Sequence, residues 1–189
     1  MNNDNSRVRR RDSITNRRRQ LNAPSPSVAE PRRPLLLAVL DFVLAARGCP
    51  GVHRISLLGS LLTVKAIPKD ADVLVTIDAA MDLGRLACFG RRLMGQAQTI
   101  NLGADIFLAD TSGRYRGRIC HYRECHPRVL CQAQHCGQRD HLNDDLHVVM
   151  LSQKLITLPP VELWPKVIRR FSVPTDVEEA LLTKLGPNQ

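Results

Sequence analysis

Hydrophobic positions along the chain follow two different spacings. From Leu35 to Arg47 the apolar residues recur every three or four positions, which predicts a helix that ends at Gly48. A second helix is expected from Asp78 to about Leu93. Shorter segments carry branched aliphatic residues typical of strands. Three such strands are expected: His53–Leu58, Asp70–Ile77 and Ala104–Leu108.

The order of these elements predicts the fold class. Helix, strand, loop, strand, helix and strand in succession indicate an α/β (α+β) fold, a small mixed sheet flanked by helices. A further strand is expected at His147–Leu151, and a final helix at Val177–Leu185. We therefore divide the chain into a polar, Arg-rich tail predicted to be disordered (1–32), a core (33–112), and a Cys/His-rich segment with a C-terminal extension (113–189).

The positive charge is concentrated at the N-terminus. The net charge is +9, and residues 1–33 hold nine arginines against three acidic residues. Such a tail either contacts nucleic-acid phosphates or is a solvated extension. No apolar stretch is long enough to span a membrane, and none follows the arginines as in a secretory signal, so we expect a cytoplasmic protein.

The segment from Gly59 to Val75 carries the candidate chemistry. Gly59-Ser60 ends one predicted strand, and after a gap of nine residues Asp70 and Asp72 open the next. Residues two apart on a strand face the same side, so the two carboxylates point together. Their repulsion is tolerated if a divalent cation such as Mg²⁺ lies between them. Gly59 permits close approach of the backbone, and Ser60 offers a hydroxyl to phosphate oxygens.

These residues resemble the active-site signature of the DNA polymerase beta-like nucleotidyltransferase superfamily. The signature is a Gly-Ser pair, a gap, and two aspartates that alternate with hydrophobic residues. In the superfamily a third carboxylate begins a later strand, and Asp105 matches that place. The resemblance covers about residues 35–110 and implies a nucleotidyltransferase-like fold.

The resemblance also implies a reaction, in which an acceptor attacks the α-phosphate of a nucleoside triphosphate. Asp70 and Asp72 would bind two Mg²⁺ ions, and Asp105 would bind the ion nearest the acceptor and help to deprotonate it. Lys65 and Lys69 would neutralise the triphosphate. The resemblance does not identify the acceptor.

Cysteine and histidine cluster in the segment that follows. The spacing of the cysteines approaches that of structural zinc sites, and reduced cysteines in a loop are the alternative. The candidate zinc ligands are Cys120, Cys125, Cys131 and Cys136, with His135 able to replace one of them. Arginines between 114 and 128 would present a phosphate- or RNA-contacting face.

Three functions are compatible with these patterns. The first is a metal-dependent nucleotidyltransferase. The second is a catalytically inactive or antitoxin-like interaction module of the same fold. The third is a zinc-stabilised nucleic-acid-binding protein that uses residues 114–141 and the Arg-rich tail.

Overall fold

The computed structural model describes residues 31–123, 133–135 and 138–186. Helices α1, α2 and α3 span Arg32–Ala46, Gly84–Thr99 and Gln153–Thr157. Strands β1 to β7 span Val52–Leu58, Asp70–Ile77, Gly103–Asp110, Tyr115–Ile119, Leu142–Asn143, Val161–Trp164 and Ile168–Arg169. A 3-10 turn, Gly59–Leu62, follows β1. Residues 175–185 form a C-terminal helical segment, α-helical at Thr175–Val177, π-helical at Glu178–Leu182 and α-helical at Thr183–Leu185.

The strands of the described residues form one seven-stranded sheet in the order β5-β4-β3-β2-β1-β6-β7. Strands β2 and β3 are parallel and are connected through α2, whereas each of the other neighbouring pairs is antiparallel. A parallel pair requires a crossover connection, and the helix between the two strands provides it. The predicted fold class, a small mixed sheet flanked by helices, is confirmed.

Helices α1 and α2 pack together on one face of the sheet. The alternation along β2 turns Val73, Val75 and Ile77 toward these helices, and all three side chains are completely buried. On β3, Ile106 and Leu108 are also completely buried in the same core. Each fully buried aliphatic side chain contributes roughly 1.5–3 kcal/mol, so this face holds the sheet rigid.

The opposite face of the sheet carries a smaller apolar cluster and the acidic residues. The cluster consists of Leu58, Leu74, Phe107, Ala109 and Ile156. Because side chains alternate along a strand, the positions two and four residues before Leu74 lie on this same face. Those positions are the two aspartates of the predicted motif.

Two predicted elements differ from the structure. Helix α2 begins at Gly84 rather than Asp78, because Asp82 Oδ1 accepts a hydrogen bond from the Gly84 amide at 2.9 Å and forms a turn. The strand expected at His147–Leu151 is wrong. The Asp145 carbonyl accepts hydrogen bonds from the amides of Val148 and Val149, which closes a turn instead.

The loop after the 3-10 turn is held by Arg32, the first residue of α1. The guanidinium is buried and donates to the carbonyls of Leu61, Thr63 and Lys65. It also makes a bidentate contact with Asp176, at 2.6 Å and 3.1 Å. One side chain therefore ties this loop to α1 and to the C-terminal helical segment. No helix among the described residues is long and apolar enough to cross a membrane.

Candidate metal centre

Three aspartates converge where β2 and β3 begin. In the parallel register Asp72 lies beside Asp105, and Asp70 lies beside Gly103. One carboxylate oxygen of each aspartate lies within 4.8 Å of the others, and all three residues are partly exposed. We call Asp70, Asp72 and Asp105 the triad. Oxygen atoms at this spacing are a donor set suited to a hard divalent cation such as Mg²⁺.

Gly59 is in contact with the triad. Its φ is +70°, a conformation that favours glycine, and a Cβ at this position would lie 1.9 Å from Asp72 Oδ2. The Gly59 backbone therefore approaches the carboxylate more closely than any residue with a side chain allows. This contact explains in physical terms why the predicted motif begins with glycine.

Ser60 fixes the beginning of β2. Its hydroxyl donates to the Asp70 carbonyl at 3.2 Å and accepts from the Lys69 amide at 3.3 Å. Ser60 thus holds the loop closed beside the triad, in addition to any contact with a phosphate. The side chains of Lys65 and Lys69 are exposed, and their positive charges partly oppose the rise in the pKa of Asp70 that burial and Asp105 cause.

The pKa values of Asp70 and Asp72 are both raised. Burial is the main cause of the shift at Asp72, followed by the negative charges of Asp70 and Asp105, and together they raise its pKa to about 6. Burial and the charge of Asp105 raise the pKa of Asp70, against the opposing effect of the two lysines. Both carboxyl groups therefore lie where a negative charge is unfavourable without a cation.

Asp105 differs from the other two aspartates because Arg118 and His121 contact its carboxylate. Arg118 Nη1 donates to Asp105 Oδ1 at 2.8 Å, and His121 Nε2 lies 3.5 Å from the same oxygen. Burial raises the pKa of Asp105, but the contacts with His121 and Arg118 more than offset it and hold the pKa below its ordinary value. Asp105 is therefore ionised in the structure and already paired.

Arg118 links the triad to a second, buried carboxylate. Its other terminal nitrogen, Nη2, donates to Asp145, whose side chain is completely buried. Tyr115 also donates to Asp145, at 3.4 Å. Sequence reasoning placed Arg118 among general phosphate-contacting arginines and did not predict a functional role for Asp145. The alternation of arginines along residues 114–118 was the available signal, and it did not reveal a partner.

The predicted zinc ligands lie mostly in residues that the structure does not describe. Cys125, Cys131 and Cys136 are outside the described residues, so the zinc site stays a prediction. Cys120 is a partly exposed free cysteine at the end of β4. Burial raises the pKa of Asp144, but hydrogen bonds with the His135 amide at 2.9 Å and with its imidazole at 2.6 Å hold that pKa below its ordinary value.

Comparison with known proteins found no match for this chain among protein-family models, curated proteins or solved structures. The resemblance to the nucleotidyltransferase superfamily therefore depends on the motif residues and on the order of elements around them. Within the described residues the triad is the group of acidic, histidine and cysteine side chains whose ligand atoms are close enough to share a metal ion.

Proposed function

We propose that this protein is a magnesium-dependent nucleotidyltransferase that moves a nucleoside monophosphate from a triphosphate to an acceptor. The observation that carries the proposal is the convergence of Asp70, Asp72 and Asp105 beside Gly59. Each feature separately is common in proteins. Asp105 lies one helix and one strand after Asp72, as the superfamily resemblance predicts, and the two strands that carry these residues are parallel neighbours.

The donor chemistry of the triad fits the proposed ion. Carboxylate oxygens are the protein ligands that Mg²⁺ prefers, and this ion commonly binds one or two carboxylates together with substrate phosphates. In the proposed complex Asp70 and Asp72 would bind both ions, and Asp105 would bind the ion nearest the acceptor. Bound Mg²⁺ would stabilise charge on the attacking and leaving oxygens.

The chain supplies the remaining parts of a triphosphate site. The Gly59 backbone lies against Asp72, so a phosphate bound to the same ion would be close to this turn. Lys65 and Lys69 are exposed and act electrostatically on Asp70, so their charges would also reach a triphosphate. In the proposed reaction Asp105 orients the acceptor hydroxyl and receives its proton. The triphosphate donor is abundant in the cytoplasm, the location that we expected from the sequence.

The test is a calorimetric titration with the four common ribonucleoside triphosphates, with and without Mg²⁺. The variant is Asp70→Asn/Asp72→Asn, and the matched control is Asp41→Asn/Glu179→Gln. The control removes the same number of negative charges from exposed positions outside the triad. We expect Mg²⁺-dependent binding in the wild type and in the control, and a loss of about tenfold or more in the triad variant. Equal binding by all three proteins would contradict the assigned site.

One observation favours a second candidate, an interaction module of the same fold without turnover. Asp105, the residue assigned to acceptor deprotonation, is occupied by Arg118 and His121. Under this candidate the chain forms a stable complex with another protein, and incubation with Mg²⁺ and a labelled triphosphate releases no pyrophosphate. Pyrophosphate release that the Asp70→Asn/Asp72→Asn variant loses would favour the enzyme instead.

A further inference from the structure

Arg118 is placed between two carboxylates of different character. Asp105 belongs to the partly exposed triad, whereas Asp145 is completely buried. The guanidinium contacts Asp105 through Nη1 at 2.8 Å and Asp145 through Nη2. Its third nitrogen, Nε, is buried and has no hydrogen-bond partner in the part of the chain that the structure describes. Within the described residues, the guanidinium of Arg118 therefore donates its hydrogen bonds to these two carboxylates.

The strand register explains why this arginine reaches the triad. On the antiparallel β3–β4 pair, Arg118 lies opposite Phe107, two residues beyond Asp105 on the same strand. Phe107 and Asp105 share a face, so Arg118 extends over the face that carries the triad. Asp145 follows β5, which pairs with β4 and places Asn143 opposite Arg118. Backbone pairing alone thus brings the arginine between both carboxylates.

We propose that Arg118 is an internal counter-ion of the triad, which lowers its affinity for divalent cations and is retained by Asp145 when a cation binds Asp105. This inference rests on the proposed function, because it assumes that the triad binds a cation. It assigns Arg118 and Asp145 as positioning residues that act through Asp105. Neither residue belongs to the motif that the sequence singled out.

Arg118 and a bound metal cation carry charges of the same sign. A positive charge in contact with Asp105 repels a second cation, and the repulsion is strong over a few Å in a partly buried site. A cation that displaces Arg118 from Asp105 would normally leave a largely buried arginine unpaired, which is unfavourable. Asp145 removes that cost, because Arg118 keeps its buried partner. The contact of Arg118 with Asp105 can therefore break while its hydrogen bond to Asp145 remains.

The experiment measures Mn²⁺ affinity by calorimetry in the full chain, because Mn²⁺ is a common substitute for Mg²⁺ at oxygen sites. Arg118→Met/Asp145→Asn removes the counter-ion and its buried partner together, so no buried charge is left unpaired. We expect this variant to bind Mn²⁺ more tightly by about tenfold. In Asp145→Asn alone, Asp105 becomes the remaining carboxylate partner of Arg118. We therefore expect this variant to bind Mn²⁺ more weakly than the wild type, by about threefold or more. Arg116→Met removes one charge from the same strand and is the control.

The opposite signs separate this proposal from a purely structural role. If Arg118 only holds the fold or orients Asp105, both variants weaken Mn²⁺ binding, and the proposal is overturned. Circular dichroism and thermal melting report the folding of each variant. If the double variant does not fold, Arg118→Gln/Asp145→Asn, which keeps polar side chains at both positions, is measured in its place with the same expected increase in affinity. An unchanged affinity in that variant overturns the proposal.

The result also separates this inference from the proposed function. If the wild type binds Mn²⁺ and neither variant changes the affinity, only the counter-ion role fails. If neither the wild type nor any variant binds Mn²⁺, the metal site itself is wrong and both proposals fail. If the double variant binds Mn²⁺ and the wild type does not, Arg118 prevents cation binding in the wild type, which supports the counter-ion role.

Discussion

Replacing Gly59 with alanine tests whether the contact between this residue and Asp72 holds the candidate metal centre together. The Cβ of Gly59→Ala would lie 1.9 Å from Asp72 Oδ2 and 2.9 Å from its Cγ. Asp72 has a short side chain whose Cβ is also only 3.2 Å away, so the carboxylate has to rotate out of the triad. We therefore expect Gly59→Ala to lose divalent-cation binding.

The expected loss of stability in Gly59→Ala is modest compared with its expected loss of cation binding. A non-glycine residue in the left-handed region costs roughly 1–2 kcal/mol. For a chain of this size, 1 kcal/mol corresponds to about 2–4 °C in melting temperature, so a decrease of about 2–8 °C is expected. The loss in Mn²⁺ affinity should be about tenfold or more, because one ligand of the triad is displaced.

Gly113→Ala is the matched control for backbone strain. Gly113 has a φ of +80°, and its Cβ would meet Gln153 Nε2 at 2.4 Å, the end of an exposed and longer side chain. Both variants should lose similar stability by thermal melting, but only Gly59→Ala should lose Mn²⁺ affinity by calorimetry. If the two variants melt alike and both bind Mn²⁺ as the wild type does, the position assigned to Asp72 in the metal centre is refuted.

Three further predictions concern the stability of the fold and its dependence on pH. The folded-state pKa of Asp72, about 6, lies above its ordinary value of 3.8, so its charge destabilises the fold at neutral pH. In urea titrations near pH 8, Asp72→Asn should raise the free energy of unfolding by about 1–2 kcal/mol, after allowance for solvent screening. Below pH 4 the change should be about zero, because the wild-type carboxyl group is then protonated as well. An unchanged or lower stability of the variant at high pH would contradict this. Arg32→Lys should lower the free energy of unfolding by about 2–4 kcal/mol, because lysine lacks the planar guanidinium group that reaches three carbonyls and Asp176. If the variant is as stable as the wild type in urea, Arg32 does not hold the loop in place. Gly117→Ala should cost about 3 kcal/mol or more, because its Cβ would lie 2.3 Å from the backbone oxygen of Asn143, and a melting temperature equal to that of Gly113→Ala would argue against this clash.

The elements that sequence reasoning located best are those whose signal is local. Strand β2 was predicted with its observed bounds, Asp70–Ile77, because its alternation is regular and a proline-lysine turn precedes it. Strand β1 and helix α1 were located to within a few residues for similar reasons. The convergence of Asp105 with Asp70 and Asp72 was expected from the superfamily resemblance, and the parallel register brings the three together.

The features that escaped prediction depend on contacts between distant segments. Strand β4 is short, contains a glycine at positive φ, and pairs with β3 through an irregular register, so its apolar pattern is weak. The pairing of Arg118 with Asp105 and Asp145 spans 13 and 27 positions in the sequence. No pattern along the chain indicates which arginine in a basic segment meets a buried acid, because only the sheet order decides it.

The distribution of counter-charges is the strongest physical argument for a cation at the triad. Among the described residues, Asp105 and Asp145 share Arg118, and Asp144 contacts His135. Asp70 and Asp72 have no comparable ion pair within those residues, and their pKa values are raised. The fold thus neutralises the acids around the triad and leaves negative charge concentrated on the two motif aspartates. A divalent cation would remove this unfavourable charge, whereas asparagine would remove it without any ion. The Asp72→Asn variant is therefore expected to be more stable and unable to bind metal, which is the trade-off typical of a functional site.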